Sequence, residues 1–544
     1  MTDIEIPLGK RHGWYRFWEM APAIMSYLIL ALPILLSLIS PLLGALFVVL
    51  FVITWFVRAI GISFRTIQGY QAMERTKALD WNKRLTDLGD YHAALDHLRA
   101  QKRLTANQEE HYRNLCRVAA SPSDFPKPSE MYNAVIIATY NESREVLEPT
   151  IKALIEANYD CKKHMIFLLA FEERGGPAIE KQAKEIIQKY KQHFFYATTV
   201  KHPNGVPNEA KAKGANITCA GRYLQEWVTE KGISPKNVIV TTLDSDNRAH
   251  HNYFAALTYK YLMTPDAYHK SFQPIAMFTN NIWDVPAPMR VVATGNSFWT
   301  LINSQRPHLL RNFAAHSQGL APLIDTDFWS VRTVVEDGHQ FWRSYFRFDG
   351  HYEVVGINLP IYQDAVLAES LKKTLKAQFV QVRRWAYGAS DIPYVAVRGF
   401  TRKRTVSFID FLGKFIRLVD SHVSWATVAF VTALGSWAPL FFGRNSDKSI
   451  IAHQLPVIAS WTQRLATFGL IVTVFFAFRM LPKRPERYKR HRTFFMLIQW
   501  VYMPVTAIVY GSLAAFYSQT RLLLGKYMDN FDVTDKAVVK TKED

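Results

Sequence analysis

Cysteine is almost absent: the 544 residues hold 3, at Cys116, Cys161 and Cys219. A fold built on disulfides is thereby excluded, and so is a cysteine-rich zinc site. Charge is missing in blocks. No Asp, Glu, Lys or Arg occurs from Met20 to Val57, from Ser421 to Gly443, or from Thr493 to Thr520. Acid is scarce overall, with Asp+Glu 46 against Lys+Arg 65 and a net charge of +19. Such an excess suits either a nucleic-acid binder or a membrane protein with basic cytoplasmic loops. Hydrophobic residues at 49% exclude a disordered chain. The length exceeds what one compact domain usually holds.

What is present starts with the apolar runs. A bilayer core needs about 20 apolar residues per helix, so 20–57 accommodates two crossings, punctuated at Ser40-Pro41. The run is too long for a signal peptide, and no small-residue cleavage site follows it. The sequence predicts a transmembrane hairpin over 20–39 and 42–62. Lys10, Arg11 and Arg16 precede it and Arg58 and Arg65 follow it, which places both ends in the cytoplasm. Later spans are expected at 421–443, 459–478 and 493–520, the second with Arg464 snorkelling near one end. Between the last two, Arg479–Arg492 is dense in Lys and Arg and reads as cytoplasmic. Membrane topology therefore accounts for much of the positive charge. No basic-aromatic signature calls for a nucleic-acid polymer as partner.

The middle of the chain changes texture. Residues 66–118 are rich in helix formers and lack proline, and 121–128 read as a linker. Short apolar runs at 133–139, 164–170, 193–199 and 237–243 then alternate with helical stretches at 144–157, 177–191 and 209–230. That alternation predicts a doubly wound α/β sheet, whose ligands bind at the carboxyl ends of the strands.

Chemistry is sought just after those strands. The fourth run ends in Asp244-Ser-Asp246; two carboxylates at i and i+2 suit a hard divalent cation and, through it, a diphosphate. Solvated loop acids give the same pattern. Lys211 and Lys213, in Asn208–Asn216, stand near a helix start, where they suit a diphosphate or simply form a cationic face. Glu336-Asp337 is an acid pair able to supply a general base, although such pairs usually lie on surfaces. His250 and His251 read as structural or solvated rather than as metal ligands. Gln381-Val-Arg-Arg-Trp385 combines guanidinium groups that clamp phosphate with an indole that stacks on a sugar face. Trp385 also suits a membrane interface.

In this order and spacing the motifs resemble those of the membrane-embedded glycosyltransferases of family 2, the group containing cellulose synthase and hyaluronan synthase. The resemblance covers about 130–390 by motif and the flanking spans by layout. It implies a nucleotide-sugar-binding GT-A (Rossmann-like) domain inserted between transmembrane helices. It also implies an inverting, metal-dependent hexosyltransferase whose donor is a UDP-sugar and whose product is a polysaccharide. Asp244 and Asp246 would hold Mg²⁺ or Mn²⁺ and the diphosphate. Tyr140, Glu142 and Glu172 would lie near the nucleoside, and Lys213 would approach the diphosphate. Asp337 would be the general base, with Glu336 beside it on the acceptor side. Gln381 and Trp385 would hold the acceptor and Arg384 the pyrophosphate. Gly295-Asn-Ser297 reads as a small-residue turn lining the acceptor. In the tail, Phe531-Asp-Val-Thr-Asp-Lys536 matches the Phe-x-Val-Thr-x-Lys gating loop of cellulose synthases, with Thr534 and Lys536 reaching the diphosphate.

The chain departs from the family at three points. Phe171-Glu-Glu173 stands where Asp is usual after the second strand, Val335 where Thr often precedes Glu-Asp, and Val382 where Gln or Arg is frequent. The implied organisation is a hairpin over 1–62, a helical segment and linker over 63–130, and the catalytic domain over 131–400. An interfacial helix over 401–420, a transmembrane region over 421–520 and a cytoplasmic tail over 521–544 complete it. Five full spans would put the tail outside. Pro504 permits 493–520 to be re-entrant instead, and the tail motif favours the cytoplasm. Two other readings stand beside the polymerase: non-processive transfer to a lipid acceptor, and a non-catalytic membrane subunit that retains the fold.

Overall fold

The computed structural model describes residues 4–443 and 450–528. Two compact units divide the chain: Met1–Glu5, Gln71–Met277 and Arg306–Gln363 in one, Ile6–Tyr70, Phe278–Gln305 and Asp364–Asp544 in the other.

The first unit is built on an eight-stranded sheet. Its strands are β1 (Tyr132–Thr139), β2 (Met165–Glu172), β3 (Tyr196–His202), β4 (Val238–Asp244), β5 (Arg248–Ala249), β6 (Lys270–Met277), β7 (Ser317–Gly319) and β8 (Glu353–Tyr362). They lie in the order β3-β2-β1-β4-β7-β6-β8-β5. The first four are parallel, and the apolar runs of β1 and β2 suit it: a strand covered on both faces has no polar side to alternate. β7 runs antiparallel between β4 and β6. The register puts Ala138 opposite Asp244, so the ends of β1 and β4 open on one edge. This is the Rossmann-like α/β core that the alternation predicted, with a mixed second half.

Three of its helices start where side chains satisfy their free N–H groups. Asp80 and Asp90 cap Trp81–Gly89 and Tyr91–Arg99, and Thr105 with Gln108 forms a capping box on Ala106–Ala120. Each such cap stabilises by about 1 kcal/mol. Those three helices bury Trp81, Leu85 and Leu115 in one core with the Tyr253–Met263 helix. Two boundaries differ from the sequence pattern. The third strand starts at Tyr196 because a 3-10 turn, Lys191–His193, takes up the residues before it. The helix expected over 209–230 begins only at Lys213: Asn208 has φ +66°, and Ala210 and Ala212 give their N–H groups to Val331 and Ala210 carbonyls.

The second unit holds the long apolar helices. Among the described residues four are long and apolar enough to cross a membrane: Gly13–Ile39, Pro41–Lys77, Phe408–Phe442 and His491–Leu523. The hairpin turns at Ser40, as the punctuation there predicted, and its second helix runs on to Lys77, the last turns belonging to the first unit. A further helix covers Ile450–Met480. Phe408–Leu434 is one unbroken helix, so 408–420 are the first turns of the helix carrying the later apolar run. His491–Leu523 is not a uniform rod. A 3-10 turn (Gln499–Tyr502) precedes Pro504, and a π-helical stretch (Ala507–Leu513) follows it.

At the start of the hairpin Glu19 is fully buried and ion-paired with Arg11 and Arg16. Arg16 also donates to the Leu522 and Leu523 carbonyls, capping the last helix, and Tyr527 donates to Glu19 at 3.0 Å. The Met528 N–H reaches the Tyr387 hydroxyl at 3.2 Å.

Candidate active site

The carboxyl edge of β1 and β4 gathers three carboxylates around one lysine. Asp244 is the last residue of β4. Lys213 is the first residue of the 18-residue helix Lys213–Glu230. Glu336 and Asp337 open the helix Glu336–Arg347. The Lys213 Nζ lies 2.8 Å from Asp244 Oδ1, 3.8 Å from Asp337 Oδ1 and 3.9 Å from Glu336 Oε1. A glycine permits this: a Cβ on Gly214 would meet the Ser330 carbonyl oxygen at 2.3 Å and Glu336 Cβ at 3.1 Å. Asn216, one turn on, donates to the Ala170 carbonyl at 3.1 Å and ties the helix to the end of β2.

The charges act strongly on one another because water is excluded. Burial alone would lower the Lys213 ammonium pKa; Asp244, Asp337 and Glu336 outweigh it and hold that pKa above its ordinary value. Burial pushes the Glu336 carboxyl above the usual carboxylate range, and the neighbouring Asp337 charge pushes it further. The Asp337 Oδ1 atom is buried without a hydrogen-bond partner. Its other neighbour is His316, whose Nδ1 lies 3.6 Å away. That nitrogen is 3.0 Å from the Phe313 carbonyl, while Nε2 accepts from the Trp329 indole at 3.0 Å. The two bonds fix a neutral ring with its proton on Nδ1; burial, the larger cause, lowers the His316 pKa and keeps it neutral. Nothing in the spacing pointed to His316. It reaches the site through the antiparallel strand β7, a long-range feature of the sheet.

The residues expected near a nucleoside stand at the ends of β1 and β2. Glu142 accepts from Thr139 Oγ1 at 2.9 Å, Tyr140 N at 2.7 Å and Asn141 N at 3.2 Å, and so shapes the turn after β1. Glu172 is ion-paired with Arg174, whose guanidinium lies 4.2 Å from the centre of the Tyr140 ring. The arginine was not singled out from sequence, yet it joins two residues that were. Asp246 is buried two residues beyond Asp244. Among the described residues no group of three or more His, Cys, Asp or Glu side chains stands ready to hold a metal. Asp244 and Asp246 nevertheless present only hard oxygens, which suits Mg²⁺ or Mn²⁺ bound mainly through phosphate and water. Carboxylate donors of this kind fit a cation that arrives with a diphosphate.

Gln381, Arg384 and Trp385 belong to the second unit, half-buried on the helix Leu371–Ala386. Gln381 accepts from Gln378 at 3.2 Å, and the Trp385 ring lies 5.9 Å from Phe278. Val382 is buried, which accounts for an apolar residue within that motif. The expected turn at Gly295–Ser297 is corrected: these residues lie inside the helix Ala287–Ser304, where Ser297 donates to Ala293 and accepts from the Phe278 N–H. Small residues in sequence gave no distinction between a turn and a closely packed helix face. Thr534 and Lys536 lie outside the described residues.

No protein-family model matches the chain, and no curated protein matches it. Several solved structures are loosely similar. The mannosyltransferase PcManGT from Pyrobaculum calidifontis, in complex with GDP-Man and Mn²⁺, has 12% identity and a TM-score of 0.39, covering 86% of this chain and 100% of its own. S. aureus TarS 1-349 has 11% identity and a TM-score of 0.33, covering 73% and 93% respectively. GalNAc-T7 with UDP, GalNAc and Mn²⁺ has 10% identity and a TM-score of 0.32, covering 54% and 58%. At such scores the reading of the site rests on this chain's own residues.

Proposed function

We propose that the chain is an inverting nucleotide-sugar glycosyltransferase of the cytoplasmic membrane, its catalytic domain in the cytoplasm, extending a polysaccharide. The observation that carries this reading is the position of Asp337. Its Oδ1 has no hydrogen-bond partner and stands in a buried cluster with Lys213 and the strand-end Asp244. A carboxylate with a vacant acceptor beside a cation is what an attacking hydroxyl and a departing diphosphate require.

In the proposed step the acceptor oxygen forms a bond to the anomeric carbon as its proton passes to Asp337. The bond from that carbon to the diphosphate oxygen breaks, and the nucleoside diphosphate leaves with the electron pair. One displacement inverts the anomeric configuration. Lys213 stabilises the charge that grows on the diphosphate. Asp244 and Asp246 would hold Mg²⁺ or Mn²⁺, which supplies a Lewis acid for the same charge. Tyr140 and Glu172 border the nucleoside, Glu142 keeps their loop in shape, and Glu336 serves the acceptor.

A panel of nucleotide-sugars, each incubated with purified protein and Mg²⁺ or Mn²⁺, tests this by release of the nucleoside diphosphate. Release from at least one donor is expected; none from any would leave the non-catalytic subunit. With that donor radiolabelled, a product of growing length supports the polymer, and a single sugar on lipid supports the non-processive alternative.

A further inference from the structure

Lys213 occupies an unusual place. The positive end of a helix dipole disfavours a cation in the first turn, and this lysine is the first residue of its helix. It is also nearly buried, its side chain 10% exposed. Such a group persists only if something compensates it. Here the compensation is Asp244 at 2.8 Å, with Asp337 and Glu336 a further ångström out. Asp244 is one of the two carboxylates proposed to meet the metal, so the ammonium and a divalent cation compete for the same oxygen.

We infer that Lys213 is an internal placeholder for the cation: without donor its ammonium neutralises Asp244, and an arriving diphosphate draws it off so that the metal enters with the donor. This rests on the reading of Asp244 and Asp246 given above. The diphosphate is what makes the exchange favourable. It brings negative charge to a helix start that favours anions, and offers the ammonium an anionic partner in place of Asp244. Two cations a few ångströms apart in a buried site repel strongly, so the placeholder suppresses metal binding until a donor is present.

Mn²⁺ binding followed by electron paramagnetic resonance separates the possibilities. Full-length protein in lipid nanodiscs is titrated with Mn²⁺ alone, then with UDP or GDP present. Wild type should bind Mn²⁺ at least about tenfold more tightly with the nucleoside diphosphate than without. The variant Lys213→Met keeps the length of the side chain and removes its charge. It should bind Mn²⁺ without nucleotide at least about tenfold more tightly than wild type, and a second change, Asp246→Asn, should abolish that gain. Lys213→Arg keeps the cation and should behave as wild type. Equal Mn²⁺ affinity of wild type with and without nucleotide overturns the inference, and needs no variant. Nucleotide-dependent binding in wild type with no gain in Lys213→Met overturns the inference while leaving the metal site standing. No Mn²⁺ binding under any condition removes the metal site itself, and the inference with it.

Discussion

At the scale of the residue, the site is a balance of one lysine against three carboxylates, and Glu336 is the member forced off its ordinary behaviour. It faces Asp337, Lys213 and Asp244; burial and the Asp337 and Asp244 charges oppose its ionisation and outweigh Lys213 and a backbone hydrogen bond, which favour it. The folded state therefore holds this proton to higher pH than the unfolded chain does. Its contribution is fully present below the ordinary glutamate value of about 4.5 and is lost as pH rises through the folded value. Glu336→Gln has no proton to lose. The wild-type melting temperature, relative to that variant, should fall as pH rises from about 5 to about 8. Parallel curves would mean that Glu336 ionises freely. Asp244 and Lys213 were legible because each sits beside a recognisable strand end or helix start, Glu336 and Asp337 because an acid pair stood at its place in the motif order. It left Arg174 and His316 unread. Arg174 belongs to no motif, and His316 is brought in by pairing between distant strands.

At the scale of the element, two glycines in helices behave in opposite ways. Gly214 lets the Lys213 helix start against the Ser330 carbonyl, and a methyl group there would sit 2.3 Å from that oxygen. Gly214→Ala should destabilise by about 1–3 kcal/mol, since the blocking atom is backbone and must shift. It should also lower turnover by moving Lys213. Gly295 sits inside its helix with nothing within 4 Å of a Cβ. Gly295→Ala should be stabilising by about 0.5–1 kcal/mol, because alanine loses less backbone freedom in a helix. Thermal unfolding of both variants checks the pair. A destabilised Gly295→Ala would restore the turn that the sequence suggested. The strands were legible because a strand buried on both faces has no alternation and stands out as an apolar run. Gly295-Asn-Ser297 was misread because small residues serve turns and tight helix packing equally. The late start of the Lys213 helix depends on loop hydrogen bonds to Val331, far away in sequence.

At the scale of the whole molecule, Leu522–Tyr527 is held beside Arg16 and Glu19 at the start of the first helix. The hairpin turns at Ser40, so its two ends lie on one side, and the second end leads into the first unit at Gln71. Arg16 caps the last helix and Glu19 accepts from Tyr527, so Lys526 lies on that same side. The segment His491–Leu523 carries a 3-10 turn and a π-helical stretch around Pro504, yet runs on helically and is long and apolar enough to cross a membrane. Counting apolar runs left the tail's side open; the Arg16 contacts, some 500 residues apart in sequence, place Leu522 and Leu523 beside the start of the first helix. Lys10→Cys and Lys526→Cys, each in a protein lacking Cys116, Cys161 and Cys219, should both resist a membrane-impermeant thiol reagent in intact cells. Ser40→Cys should react. Labelling of Lys526→Cys with Lys10→Cys protected would restore five full crossings. The central claim is that Asp337 takes the acceptor proton in a nucleotide-sugar site. A single-turnover experiment with the donor found by the screen tests it most directly, following nucleoside diphosphate release by wild type and Asp337→Asn alongside donor binding. The account predicts a rate lower by about 100-fold or more, with donor affinity nearly unchanged. Release at the wild-type rate by Asp337→Asn would contradict it.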